Sequence, residues 1–331
     1  MDDPQQGRIL FLVWSAPTQG SSRSRFLARE LAASGPHHIS FGPRRGLVTT
    51  LLRYLIQGTQ TLWLLWKKRP RVVIVQSPPS MAVLFTALYC VLTNSRYVVD
   101  AHSDAFQRRI WTWPTWLYRR VARRAVVTLV TDTYFKQKLE GWGAKALVMR
   151  SPVTWYPQEP YPVNGHFNVT VVNSFSLDEP LENVLQAAAA LPGVRFYITG
   201  KVRRNSEQLL KLAPENVQFT NFLPEKQYYG LLKASHAVMS LTTRNHTFQC
   251  GACESLSLER PIVTSNWPLL REYFNLGTVH VDNTVDGIRR GIIEMQREYE
   301  RYQGEIVQLR KLRYQEWQRR IADLVALIEQ G

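Results

Sequence analysis

The stretch LTTRNHTFQCGACESLSLERPIVTSNWPLLREYF, residues 241–274, holds the sharpest change of pattern in the chain. A buried-strand run, AVMSL (237–241), passes into a polar loop, and the loop opens a helix near Gln249 whose first turn holds Gly251 and Ala252. Small residues there let a ligand reach the backbone, and the unpaired amides of a helix start attract phosphate. Glu254 falls within the first turns, where a carboxylate can accept from a ribose hydroxyl. A plain helix cap accounts for the same residues, so the pattern alone leaves both readings open.

Outward from that segment the chain repeats one alternation, short β-branched runs followed by longer amphipathic ones, as in parallel sheets built from strand-helix-strand units. In the first half the strand runs are ILFLVW (9–14), RVVIVQ (71–76), RYVVD (96–100), AVVTLVT (125–131) and KALVM (145–149). In the second they are FNVTVVNS (167–174), VRFYITG (194–200), VQFT (217–220), AVMSL (237–241), PIVTS (261–265) and TVHV (278–281). Helices are expected between them, including 284–302 and a last long helix over about 305–330. The run SPVTWYPQEPYPVNG (151–165), with four prolines, reads as a linker. The expected class is α/β, two Rossmann-like doubly wound domains facing each other across a cleft. Their bounds are 1–150, a linker over 151–166, 167–303, and a helix over 304–331 that packs back towards the first domain.

Composition narrows the classes. The chain has 331 residues, 45% hydrophobic and 20% charged, which excludes a disordered protein and, at about 150 residues per domain, fits two domains. The longest apolar stretch, Met81 to Leu92, falls well short of the ~20 residues of a transmembrane helix, and MDDPQQGR is acidic where a signal peptide is basic. The expected location is the cytoplasm. Cys90, Cys250 and Cys253 are no disulfide framework. Cys250-Gly-Ala-Cys253, with His246 four residues upstream, raises a metal or redox site. However, zinc needs four ligands or three and a water, and no second pair exists. A redox role rests only on the lowered thiol pKa of a helix start. No metal and no bound cofactor are expected.

The net charge of +15 is unevenly placed: residues 1–150 carry 22 Lys and Arg against 7 Asp and Glu, and the remainder carries 19 against 19. Seven of the ten tryptophans also fall in the basic half. Cations cluster in 44–71 and 108–124, thirteen in all, with no acidic residue inside either run. They are interleaved with Trp63, Trp66, Trp111, Trp113, Trp116 and Tyr118. Indole and phenol rings settle at headgroup depth and cations are drawn to anionic lipid, so the combination reads as a membrane-facing surface. A solvated basic face over core aromatics is the plainer account. Nucleic acid is a third, without a binding motif to support it.

The 241–274 segment resembles the C-terminal-domain signature of glycosyltransferase family 4, retaining nucleotide-sugar enzymes of GT-B fold. Glu254 matches the second Glu of that signature, and Pro261-Ile262-Val263-Thr264-Ser265 the run after it. The likeness extends to VRFYITGK (194–201), VQFTNFLPEKQYYGLLKASHAV (217–238) and VVDAHSDAF (98–106). It implies a nucleotide-sugar held without a divalent metal; together with the basic, Trp-rich first half, the expected acceptor is lipid-linked or a glycan, with the protein peripheral on the inner face of a membrane and engaged in polysaccharide synthesis. It makes Glu254 the ribose ligand, the amides of Cys250, Gly251 and Ala252 a diphosphate cradle, and Phe222 and Leu223 neighbours of the base. In the first half Gly20, Ser21, Ser22 and Arg23 stand for the family's Gly-rich loop. With Asp100 they form the acceptor side, and His102 stands for the active-site histidine. Two departures follow. His246 occupies the place of the first Glu, so it inherits a catalytic position with different chemistry. NSFSLDEPLEN (173–183) also lacks the Arg and Lys expected there, leaving Lys201, Arg203 and Arg244, with Gly200, to meet the diphosphate. Two other classes fit part of this sequence, a non-catalytic nucleotide or glycan module of the same fold and a basic nucleic-acid-binding protein.

Overall fold

The computed structural model describes residues 8–16, 22–42, 47–202 and 207–330. Two compact units emerge, one comprising the chain up to Ser151 together with Trp317 onward, the other Pro152–Glu316.

In the first unit the elements run β1 (Ile9–Val13), α1 (Ser22–Glu30), β2 (Ser34–His38), α2 (Leu47–Lys68), β3 (Val72–Ser77), α3 (Ser80–Thr93) and β4 (Arg96–Ala101). Then come α4 (Asp104–Gln107), a 3-10 turn (Arg109–Thr112), α5 (Thr115–Arg124), β5 (Thr128–Val130), α6 (Thr133–Glu140) and β6 (Ala146–Val148). The sheet is parallel throughout, in the order β2-β1-β3-β4-β5-β6. Alternate strand residues face opposite layers. Leu10, Leu12, Val73 and Val75 meet α2, α3, α5 and α6 in one cluster, while Phe11, Val13, Val72 and Ile74 meet α1 and the end of the chain in another.

The second unit runs β7 (Phe167–Val171), α7 (Leu181–Ala189), β8 (Val194–Thr199), α8 (Glu207–Lys211), β9 (Val217–Asn221), α9 (Glu225–Ala234) and β10 (Ala237–Ser240). It closes with α10 (Cys250–Ser257), β11 (Ile262–Ser265), α11 (Pro268–Tyr273), β12 (Thr278–Val281), α12 (Val285–Arg297) and the start of α13 (Tyr299–Gln330). Its parallel sheet has the order β12-β11-β10-β7-β8-β9, which counted from β7 is the 3-2-1-4-5-6 order of dinucleotide-binding sheets. The proline-rich run belongs to this unit: Val153 and Tyr156 are buried in its clusters.

Two elements differ from the sequence reading. β2, SGPHH, has no β-branched residue to mark it; as the outermost strand it tolerates a proline. The expected helix over 284–302 divides at Glu298, and from Tyr299 the chain forms one helix of 32 residues. Along α13 the buried positions recur at helical spacing. Tyr302, Ile306 and Leu309 sit in the second unit, and Trp317, Ile321, Leu324 and Ile328 in the first.

The first unit is pinned by a buried ion pair. Arg23 on α1 reaches Asp100 on β4 with Nε at 2.9 Å from Oδ1 and with Nη2 to the same oxygen, and Nη1 donates to the Met149 carbonyl at 2.9 Å. Ser24 Oγ donates to the other carboxylate oxygen at 3.2 Å. Arg23 is 2% exposed and Asp100 0%. Burial by itself would raise the Asp100 carboxyl, but the guanidinium and the neighbouring His102 more than offset it and hold it well below the usual carboxylate range. A depressed carboxyl contributes stability that is complete above the unfolded-state value, near 4, and is lost as pH falls towards the folded-state value. Asp100→Asn should therefore destabilise the unit by about 3–5 kcal/mol at neutral pH, because the buried Arg23 loses its carboxylate counter-charge. In denaturant melts at a series of pH values, the variant should lose the acid-side fall of the wild type, whereas equal melting of the two at pH 7 would contradict the assignment.

Candidate functional site

In an open parallel sheet, ligands bind outside the carboxyl ends of the strands where the strand order reverses. In the second unit that point lies between β7 and β10, so the loops after them, 172–180 and 241–249, form its walls. Asp178 knits the two loops together. Its carboxylate accepts from Ser176 Oγ at 2.6 Å and Thr242 Oγ1 at 3.1 Å, its carbonyl accepts from the Thr243 amide at 2.7 Å, and Arg244 Nη2 lies 3.4 Å from Oδ1. Despite burial, which raises it, the Asp178 carboxyl is held below its ordinary value by the hydroxyls of Ser176 and Thr242 and then by Arg244.

α10 starts at this point, and its N-cap residue Gln249 makes no side-chain capping hydrogen bond. Gly251 is required there for packing: a Cβ would lie 2.7 Å from Val172 Cβ and 3.0 Å from Ser240 Oγ, so only glycine lets the helix seat against the ends of β7 and β10. Ala252 and Cys253 are buried in the cluster beneath. The sequence reading gave the small size of Gly251 and Ala252 to ligand approach. The structure uses those positions for helix-on-sheet packing and leaves a ligand the backbone amides. Cys250, at the first helical position, is exposed.

One turn on, Glu254 Oε2 accepts from the hydroxyl of Tyr228, on α9, at 2.6 Å. Among the described residues Oε1 has no hydrogen-bond partner. Burial pushes the carboxyl above its ordinary value; the Tyr228 hydrogen bond acts against this and Glu225 adds to it. Burial next to that carboxylate pushes the Tyr228 phenol well up in turn. Tyr228 escapes sequence reading because its partner is 26 residues away and on another helix.

Of the remaining expected donor residues, Gly200, Lys201, Phe222 and Leu223 follow strands at the same carboxyl end of the sheet. Gly200 ends β8 with φ +102°, and a Cβ there would meet the Asn173 carbonyl at 2.0 Å, so the turn closes only on glycine. Lys201 next to it is exposed. Phe222, after β9, is 79% exposed, while Leu223 is half-buried. His246 is half-buried in the β10 loop with φ 57°, its amide donating to Asn245 Oδ1 at 2.8 Å. Gly20, Ser21, Arg203, Arg44 and Arg45 lie outside the described residues, as do the side chains of Ser22 and Arg109. No group of His, Cys, Asp or Glu among the described residues could hold a metal ion. Cys90 is inert, its thiol pushed up to about 12 by burial.

In the first unit the order reverses between β1 and β3, and a pocket of about 860 Å³ opens there. Its lining includes Trp14, Arg53, Tyr54, Gln57, Arg108 and Trp111. Trp14 Nε1 donates to Thr61 Oγ1 at 2.8 Å, and the Arg53 guanidinium stands 5.1 Å over the Tyr54 ring. Sequence reasoning missed this group because its members come from β1, α2 and the 108–111 segment. Arg23 and Asp100, expected on the acceptor side, are turned inward and committed to each other, as described above. His102 follows β4 with its side chain partly exposed. Its amide donates to the Ser77 carbonyl at 2.9 Å, and Nε2 lies 3.5 Å from Asp100 Oδ2, within ion-pair range should the ring be protonated.

A carboxyl raised by burial favours its protonated form in the fold, so its contribution to stability is present at low pH and is lost as pH rises through the raised value. Glu254→Gln removes a buried charge and keeps an acceptor for Tyr228. It should raise the Tm of the unligated protein at pH 7 by about 2–4 °C, the size of effect that ~1 kcal/mol produces in a unit of this length. Differential scanning calorimetry measures it, and a lower Tm would contradict the buried-carboxylate account.

A family model described as "Glycosyl transferase-like" matches residues 179–326. No curated protein matches the chain significantly by sequence. Among solved structures, Anabaena HepE in complex with UDP and glucose superposes with TM-score 0.70 at 12% identity, covering 96% of this chain and 99% of that one. Sucrose-phosphate synthase from Thermosynechococcus elongatus gives 0.72 at 12% identity, covering 98% of each. A glycosyltransferase from Rickettsia africae gives 0.68 at 11%, covering 97% and 98%. The fold is thus GT-B, two six-stranded parallel sheets flanked by helices.

Proposed function

We propose that the chain is a glycosyltransferase that moves a sugar from a nucleotide-sugar, with UDP as the nucleotide, to an acceptor carried on a lipid or a growing glycan. The observation that carries this reading is Glu254: one oxygen fixed by Tyr228 and the other without a partner among the described residues, one turn past a helix start whose N-cap residue, Gln249, makes no side-chain cap, at the sheet's switch point. The glycosyl transferase-like match spans these residues, and HepE was solved with UDP and with UDP-glucose.

In this reading the ribose hydroxyls donate to Glu254 and the diphosphate rests against the amides of Cys250, Gly251 and Ala252. Phe222 offers a face to the base. As the bond from the sugar's anomeric carbon to the diphosphate oxygen breaks, negative charge grows on the leaving phosphate. The helix-start amides, with Arg244 and Lys201 near the strand ends, stabilise that charge. The acceptor oxygen forms the new bond and its proton passes to the departing diphosphate. As the resemblance to family 4 implies, the acceptor attacks from the face that the diphosphate leaves, so the anomeric configuration is kept, with leaving-group stabilisation as the main aid to the reaction. No divalent metal takes part. In the first unit His102, just past the end of β4, holds a hydroxyl of the reacting sugars.

His246 favours a second reading, a module that binds a nucleotide-sugar without turning it over, because an imidazole replaces the carboxylate expected to contact the donor sugar. Isothermal titration with UDP and UDP-sugars, and release of UDP in the presence of glycolipid acceptors, separate the two. The enzyme reading expects UDP binding that Glu254→Gln weakens about 10- to 100-fold, the loss of a charge-assisted hydrogen bond, with turnover abolished by His246→Ala. Intact binding without turnover selects the module. Oligonucleotide binding that falls steeply with salt, ignores UDP and survives Glu254→Gln would overturn both.

A further inference from the structure

Helices α2, α3 and α5 share one layer of the first unit, contributing Leu65, Val83 and Tyr118 to a single cluster on one sheet face. α2 and α3 lie tightly side by side: Phe85 of α3 occupies the space a Cβ on Gly58 would need, and Trp66 meets Tyr89 edge-on with ring centroids 5.7 Å apart. α2 buries Gln57, Gly58, Thr61 and Leu65. On the opposite side of the same helix Leu51, Leu52, Leu55, Trp63 and Trp66 form a stripe at helical spacing, each half exposed or more, with no charged residue among them. α3 contains no charged residue at all, and its Leu88, Val91 and Leu92 are exposed by about half or more. In the segment that leads into and opens α5, which packs against α3, Ile110, Trp113 and Trp116 are each at least two-thirds exposed.

The charges carried by α2 and α5 themselves have one sign, and the nearby Asp104 is paired with Arg108. Lys67 and Lys68 end α2, and Arg119, Arg120, Arg123 and Arg124 lie exposed along α5. Between Glu30 and Asp100 the sequence holds no Asp or Glu. A face that simply met water would mix both signs, and one that met a second copy of this chain would bring these cations against each other. Leucine and indole rimmed by arginine and lysine matches an anionic bilayer, with the rings at headgroup depth, the aliphatic groups below them, and the cations on lipid phosphates. Among the described residues no helix is long and apolar enough to cross a membrane, so the face would lie in the surface.

We propose that the outer face of α2, α3 and the 110–116 segment is an interfacial membrane-docking surface for anionic lipid. It supplies the partner that a lipid-borne acceptor requires and rests on that part of the proposed function, whereas the lipid contact itself does not involve the donor site. Flotation of the full chain with phosphatidylcholine vesicles, with and without phosphatidylglycerol, tests it. The expected result is flotation with phosphatidylglycerol vesicles and a blue shift of tryptophan emission. The double variant Leu55→Glu, Leu92→Glu should abolish both at every salt concentration while leaving UDP titration unchanged. Replacing Arg119 and Arg120 by Gln should weaken partitioning about fivefold per cation and reduce its salt dependence. Flotation of the Leu-to-Glu variant equal to wild type overturns the proposal. A dimer that this variant dissolves, without vesicle binding by either protein, also overturns it and assigns the face to a second copy. Flotation without any UDP binding would keep the membrane face and remove the donor reading.

Discussion

A parallel strand inside a crossover fold has no face it can leave in water, and the architecture of this chain follows from that constraint. Leu10 and Leu12 point to one layer of helices and Phe11 and Val13 to the other, so both sides of β1 must be covered. Each strand is therefore followed by a helix that returns over the sheet, and polar loops can gather only at its edges and ends. Where the strand order reverses, the loops diverge and leave room: between β7 and β10 in one unit, between β1 and β3 in the other. The helix start at Cys250 and the pocket beside Trp14 are products of the same geometric rule.

That constraint also explains how much could be read in advance. Doubly buried strands such as Val72–Ser77 and Ile262–Ser265 need unbroken β-branched runs, and these stand out in the sequence. β2 needs none, because an edge strand has one neighbour and few core contacts; SGPHH therefore looks like a turn. α3, SMAVLFTALYCVLT, is apolar on all sides and shows no period, since one side meets the sheet and the other is exposed but uncharged. The division at Glu298 depends on packing that local spacing does not record.

The candidate site was legible where chemistry is local and hidden where it is tertiary. Glu254 and the small residues before it lie within one turn of each other, so their spacing carries the signal. Tyr228 and Asp178 act across 26 and 64 residues, through Glu254 and Thr242 respectively, and nothing near them in the sequence marks those contacts. Arg23 and Asp100, 77 residues apart, illustrate the reverse case: each has the polar character expected of a ligand contact, and burial turns them into a fastening of α1 to the sheet.

The long closing helix sets an order of events during synthesis. The second unit is made of contiguous chain, and its core is complete once the ribosome has released residues up to about 316. The first unit, although translated earlier, lacks one covering of its sheet until Trp317, Ile321, Leu324 and Ile328 arrive. Phe11, Ile74 and their neighbours thus wait with α1 but not the closing helix over them while the rest of the chain is made. The half that begins at the amino terminus is the last to become native, and a chaperone that shields apolar sheet surface would have its longest task there.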